Sequence, residues 1–336
     1  MHFYVRKINA IFSSKTIWKL QMVKRPIAGI GENAQPVCFS VIRNIALFLL
    51  LLPFNQVTWA QDTVAFYFAA HEDDWQLFMN PNAYIDVHRT STKVVFVYMT
   101  AGDAGAGLGN AGRSQPYYLA RENGAKLSVK FMVDAEKEPA IAVNSVASFS
   151  GHPISKWRYG NTVSYFLRLP DGNPQGTGYS TTGQQSLKRL RDGAISKITA
   201  IDSSTAYQGW NDLKATLRAL IDHERGNAVS VWVNLSDTDT VKNVGDHQDH
   251  LHTARGVLEA IADLPCINKV FYLDYVTERL PENMSASERE IEAGTFGALV
   301  VGLTALDHRS PWDTLHRSWL SRHYFRTEPG TGQCSQ

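Results

Sequence analysis

Residues 64–70 are an unbroken apolar run, Val-Ala-Phe-Tyr-Phe-Ala-Ala, and His71-Glu72-Asp73-Asp74-Trp75 follows at once. The run predicts a buried strand. A strand that ends in an imidazole and two consecutive carboxylates, then turns into a new element, sets its polar side chains at the carboxyl edge of a sheet. Open α/β folds place their sites there, so the partners these residues find decide how the rest of the chain is understood.

The downstream pattern alternates strands with helices. Lys93 to Thr100, Ala228 to Leu235 and Lys269 to Tyr275 are rich in β-branched and aromatic residues and predict strands. A short helical turn is expected over Trp75 to Met79, interrupted at Asn80-Pro81 and resumed over Ala83 to Arg89. Longer helices are expected over Gln115 to Val133, with Leu119, Leu127 and Phe131 facing the core, over Trp210 to Arg225, and over Thr253 to Leu264. A last helix, Ser285 to Leu306, carries Ser287 and Glu290 at capping-box spacing. Residues 141–182 alternate aromatic and β-branched with polar residues and suggest an inserted β hairpin or small sheet. The fold expected is α/β: a Rossmann-like, mainly parallel sheet with helices on both faces and an inserted β-rich segment.

Charge divides the chain unevenly. The first 60 residues hold seven lysines and arginines against the single acid Glu32, then the uncharged apolar run Ile45 to Phe54, then Thr58-Trp59-Ala60. That order is the order of a secretory signal, with cleavage expected after Ala60 and translation beginning at Met1 or Met22; an uncleaved anchor or a buried strand are the alternatives. The membrane would be met only through this segment. The remaining 276 residues, taken as a single domain over 61–336, carry 26 basic against 31 acidic side chains. A mildly acidic protein is a poor partner for nucleic acid phosphates. Cys266 and Cys334 are left after cleavage, either as one disulfide holding the tail or as two separate thiols.

The second strand runs into a loop with five glycines in twelve residues, 101–112. It lacks both the Gly-x-Gly-x-x-Gly helix entry and the Lys-Ser/Thr of a phosphate loop, which argues against a nucleotide. The third strand leads instead to Gly245-Asp246-His247-Gln248-Asp249-His250-Leu251-His252. Two histidine- and aspartate-rich clusters, each after a strand, would share one edge of the sheet. A catalytic zinc takes three protein ligands and keeps one position open; His71, Asp74 and one histidine of the second cluster would supply them, leaving Asp73 to take a proton. Asp246, Asp249 or His252 could orient the ligands. Taken singly, the aspartates of the first cluster could equally cap a helix, and the histidines of the second could be a solvated pair.

Together the two clusters resemble the PIG-L (LmbE-like) family of zinc-dependent N-acetylglucosaminyl deacetylases. The family's first strand ends in His-Pro-Asp-Asp-Glu, matched here at His71, Asp73 and Asp74, and its later His-Pro-Asp-His is matched at His247, Asp249 and His250. An Asp-Ala-Gly loop and an arginine on the following helix, Arg121, also look like the family, and the likeness spans roughly Val64 to Leu264. It implies His71, Asp74 and His250 as ligands of Zn2+, Asp73 as general base, His247 as a charged or donor group at the developing oxyanion, and Arg121 as a substrate contact. The departures are Glu72 and Gln248 for the two prolines, Trp75 for a glutamate, and Gly124 for an acid three residues beyond the arginine.

The expected activity is removal of an acetyl group from an N-acetylated sugar or glycan outside the cytoplasm. Aromatic residues such as Trp75, Tyr117, Tyr118, Trp157 and Trp210 are candidates for stacking on the sugar, and Asp171 for a loop that reaches it. The alternatives are a metal-dependent esterase and a non-catalytic carbohydrate-binding protein on the same fold.

Overall fold

The computed structural model describes residues 62–135, 138–332 and Cys334. The expected signal segment lies outside the described residues. In chain order the elements are β1 (Thr63–Ala69), α1 (Asp74–Phe78), α2 (Asn82–His88), β2 (Thr92–Thr100), α3 (Tyr117–Asp134), β3 (Val143–Phe149), β4 (His152–Tyr159) and β5 (Thr162–Leu169). They continue with α4 (Leu187–Arg191), the short β6 (Ile198–Thr199) and β7 (Ala206–Tyr207), α5 (Trp210–Arg225), β8 (Ser230–Ser236), α6 (Gln248–Ala260), β9 (Asn268–Tyr272), α7 (Ala286–Thr304), α8 (Thr314–Trp319) and β10 (Phe325–Glu328).

Eight strands form one sheet in the order β10-β9-β8-β1-β2-β5-β4-β3. The five central strands β9, β8, β1, β2 and β5 are parallel, and β10 and β4 pair antiparallel at the two sides. The chain moves from β1 to β2 on one side and later places β8 on the other. β1 therefore stands at the topological switch point, where the loops leaving neighbouring carboxyl ends diverge and open a crevice.

The apolar run explains this position, since Val64 to Ala70 are each at most 2 % exposed. Phe66 and Phe68 face one layer, with α5 and α6, through Leu213, Leu217, Leu220 and Ile221; Ala65 and Tyr67 face the other, with α3 and α7. Helices on both faces satisfy a strand with no polar side, as the sequence pattern requires. Residues 143–169 are the β-rich stretch foreseen in the sequence, and they extend the main sheet rather than forming a small one of their own.

Three local expectations need correction. The core side of α3 is Ala120, Gly124, Ala125, Ser128, Val129 and Met132, while Leu119 and Leu127 are half-buried and Phe131 is 41 % exposed. The reason is a close helix crossing: a Cβ on Gly302 would lie 2.4 Å from the Gly124 Cα, so small residues fill the contact between α3 and α7. The capping box of α7 is Ser285 with Glu288, not Ser287 with Glu290. Finally, α6 begins at Gln248, five residues before the expected start, because His247 caps it. Cys266 and Cys334 form a disulfide that ties the tail to the loop before β9. No helix among the described residues is long and apolar enough to cross a membrane.

Candidate metal centre

The carboxyl ends of the five parallel strands deliver His71 to Asp74 from β1, Asp103 from β2, Asp171 from β5, Asp246 to His250 from β8 and Asp274 from β9. At the end of β1 the backbone breaks from the sheet while Thr100 holds the Ala70 carbonyl through both its amide, at 2.9 Å, and its hydroxyl, at 2.7 Å. Asp73 occupies the N-cap position of α1, yet its side chain accepts no capping hydrogen bond. Asp74 turns back, its Oδ2 accepting the His71 amide at 2.8 Å. Both aspartates are thus diverted from helix capping to the site.

Asp74 Oδ1, His71 Nδ1 and His250 Nε2 converge from two distant stretches of chain. The two nitrogens are 3.2 Å apart, His250 Nε2 is 3.2 Å from Asp74 Oδ1, and His71 Nδ1 is 3.4 Å from the same oxygen. Tetrahedral zinc with bonds of about 2.0–2.1 Å separates its ligand atoms by about 3.3–3.4 Å. Two imidazole nitrogens and a carboxylate oxygen are also the right donor chemistry with one position left over, so the residues fit the ion. All three side chains are buried, and Phe78 and Tyr275 pack their rings against that of His250.

Behind the trio stand groups that fix it. Asp246 Oδ1 lies 2.8 Å from His250 Nδ1, with Asp274 Oδ2 at 3.3 Å, which holds a proton on Nδ1 and aims Nε2 at the other two donors. Asp249 Oδ2, held by the Gly172 amide at 2.7 Å, lies 3.6 Å from His71 Nε2. Burial alone would deprotonate both histidines of the trio, but Asp74 beside His71, and Asp246 and Asp74 beside His250, outweigh it and raise both well above the ordinary imidazole value. Burial likewise opposes the charge on Asp74, and the two histidines overcome it and lower its carboxyl. Burial and the nearby Asp246 push Asp274 up to about 7. Two other groupings are less suited to an ion. In the set His71, Asp171, His247 and Asp249 each histidine stands 3.6–3.9 Å from each aspartate, with His247 Nδ1 already accepting the Asp249 amide, and Asp246 and Asp274 share the His250 Nδ1 proton.

His247 is half cap and half site. Its Nδ1 accepts the Asp249 amide at 3.1 Å, so the ring proton sits on Nε2, which faces Asp171 Oδ1 at 3.9 Å. Burial and the neighbouring His71 depress it to about 4, making it a neutral donor. Asp171 is 5 % exposed, and although burial works against its charge, His71 and His247 keep its carboxyl low.

Arg121 lines the cleft, and each of its three nitrogens already has one partner. It bonds Asp73 Oδ1 through Nη2, the Gly102 carbonyl through Nη1 at 3.2 Å, and pairs through Nε with Glu72 Oε2 at 3.1 Å. Gly102, at φ +50°, admits this hub: a Cβ there would meet Glu72 Oε2 at 2.5 Å and the guanidinium carbon at 2.9 Å. Glu72 is therefore a buried partner of Arg121, its carboxyl pushed up to about 8 by burial. Asp73 Oδ2 faces His316 Nε2 across 4.0 Å, and His316 Nδ1 lies 2.8 Å from Asp313 Oδ1. Asp73, Arg121 and His316 all border a cleft of about 390 Å3.

Several sequence candidates fall elsewhere. His252 turns its Nδ1 to the Gln248 carbonyl of its own helix. Trp75 is fully buried with its Nε1 donating to Tyr98, Trp157 stacks on Tyr159, Trp210 donates to Glu259 and Tyr118 lies under Arg168. Of the five aromatic candidates only Tyr117 borders the cleft. His316, Asp274 and the packing of Asp171 were not foreseen; each is a lone polar residue in sequence, and only the sheet edge brings them together.

Among solved structures the chain is similar to an N,N'-diacetylchitobiose deacetylase from Pyrococcus horikoshii, with 15 % identity, coverage of 89 % of this chain and 96 % of that one, and a TM-score of 0.43. It is also similar to a deacetylase of the teicoplanin biosynthesis pathway, with 13 % identity, coverage of 72 % and 84 %, and a TM-score of 0.41. No protein-family model and no curated protein matches the chain.

Proposed function

We propose that the chain is a zinc-dependent hydrolase that removes the acetyl group from the N-acetyl of an N-acetylglucosamine-type sugar outside the cytoplasm. The observation that carries this reading is the convergence of His71 Nδ1, Asp74 Oδ1 and His250 Nε2 within 3.2–3.4 Å of one another. Beside them Asp73, bonded to none of the three, faces a cleft. The resemblance of both clusters to the PIG-L motifs points to the acetamide as the bond broken.

Zinc, when bound, supplies a water of pKa about 7 and polarises a carbonyl oxygen. The chain's own residues account for the remaining steps. Arg121 pins Asp73 Oδ1 and leaves Oδ2 toward the cleft, so Asp73 takes the proton of the attacking water. His247 donates through Nε2–H to the oxygen that gains charge as the carbonyl carbon becomes tetrahedral. The C–N bond then breaks, Asp73 returns its proton to the departing nitrogen, and acetate and a free amine leave. The Cys266–Cys334 disulfide supports an oxidising compartment, and with it an exported protein.

Acetate release from N-acetylated and O-acetylated sugars tests the reading. Asp73→Ala is expected to keep its zinc and lose about 10²–10⁴ in kcat, the usual worth of a general base. Full activity of Asp73→Ala on an N-acetylated sugar would remove Asp73 from the role of base, and release confined to O-acetylated sugars would make the protein an esterase.

A further inference from the structure

The main sheet has two edges, and only one of them is guarded. An edge strand offers a row of unpaired amides and carbonyls to any other chain, and folded proteins blunt it with short length, charge, proline or a covering segment. β10 uses two of these devices, being four residues long with Arg326 and Glu328 alternating along it. β3, at the other edge, uses none. It runs seven residues, Val143–Phe149, and no charged residue occurs from Pro139 to Gly151. The apolar side chains on it and just before it face water: Ile141 is 86 %, Val146 69 % and Val143 40 % exposed, and only Ala147 and Phe149 reach the core layer of α5.

Among the described residues β3 pairs with β4 alone, and no other backbone hydrogen bond reaches it. The turn between the two strands decides which groups are left over. Ser150 and Gly151 form a two-residue connection at φ +50° and +86°, and a connection of this kind sets the residues flanking it, Phe149 and His152, against each other as a hydrogen-bonded pair. The register runs without a bulge, and bonded and non-bonded pairs alternate along an antiparallel ladder. Ala147, Ser145 and Val143 therefore also give their amides and carbonyls to β4. Ser148, Val146 and Asn144 turn theirs outward, symmetrically about Val146.

We infer that the protein is a dimer in which β3 pairs antiparallel with β3 of a second copy, about a two-fold axis at Val146. That register sets Val146 against its own counterpart and Asn144 against Ser148, so each outward amide on one strand meets an outward carbonyl on the other. The arrangement is the same seen from either copy, as a two-fold contact must be. A strand with no charge brings none against itself, and the two exposed Val146 side chains cover each other at the axis. The symmetry of the free groups about one residue is what favours a second copy over a foreign strand. The sheet then runs on unbroken through both copies, and its unguarded edge disappears.

Sedimentation equilibrium and disulfide cross-linking test the inference. The wild-type chain is expected to be dimeric at micromolar concentration. Val146→Lys, which brings two like charges together at the axis, should raise the dimer dissociation constant about a hundredfold and leave the far-UV circular dichroism unchanged, since Val146 is exposed. Val146→Cys should form an intermolecular disulfide on mild oxidation, because residues on the axis oppose each other with Cα atoms about 5.5 Å apart. Asn144→Cys, displaced from the axis on both strands, should not. The cross-linking pair gives its answer independently of how Val146→Lys folds. A wild-type chain that stays monomeric, a dimer that survives Val146→Lys, or cross-linking as efficient at Asn144 as at Val146 overturns the inference.

Discussion

At the scale of single residues, the two adjacent aspartates have different work because their neighbours differ. Asp74 is locked by the His71 amide and by two imidazoles, whereas Asp73 is held from the side by Arg121. Glu72 completes that hold, which gives Arg121 a positioning role toward Asp73 besides the proposed contact with substrate. Glu72→Ala, which leaves the Arg121 Nε without the Glu72 carboxyl oxygen, is expected to lower kcat about ten- to a hundredfold, since small misplacements of a base are costly, with KM and zinc content little changed. A rise in KM alone would leave Arg121 only the substrate contact. The site was legible in sequence where residue types repeat a spacing: His71, Asp73 and Asp74 lie within four positions, and His247 and His250 span one helical turn. Asp171, Asp274 and His316 were not legible as a set. Each is far from the others along the chain, and folding alone brings them to one edge.

Individual elements divide along the same physical line. Continuous apolar runs such as Val64 to Ala70 announced buried strands because only a sheet covered on both faces accommodates them. On α3 apolarity does not mark the core face, since Leu119 and Leu127 are half-buried and Phe131 is exposed. The α3–α7 contact is governed instead by approach distance, and the residues that permit it, Gly124 and Gly302, have no side chain to signal it. Gly302→Ala should destabilise the fold by about 1–3 kcal/mol, as overpacking does, although alanine in a free helix would stabilise by about 1 kcal/mol. Thermal melting of the variant checks the sign; an increase in Tm would mean that the helices separate freely.

For the whole molecule, a buried acid remote from the site makes stability depend on pH. Glu292 on α7 is fully buried, accepts the Ser321 amide at 2.6 Å, and is pushed by burial up to about 8. A carboxyl raised above its unfolded value of 4.5 contributes stability in full below that value and loses it as pH rises through about 8, because the unfolded chain releases the proton first. Glu292→Gln keeps an acceptor for Ser321 and removes the titration. Urea denaturation is therefore expected to show wild type losing stability relative to the variant between pH 5 and 9, and parallel curves would contradict this. The central claim is the metal site itself, formed where β1 and β8 end side by side. It is tested most directly by the zinc content of the purified chain, with and without His250→Ala. The account predicts about one tightly held zinc per wild-type chain and loss of it in His250→Ala, together with loss of acetate release from N-acetylglucosamine substrates. A wild-type chain that binds no zinc, or a His250→Ala chain that keeps it, would contradict the account.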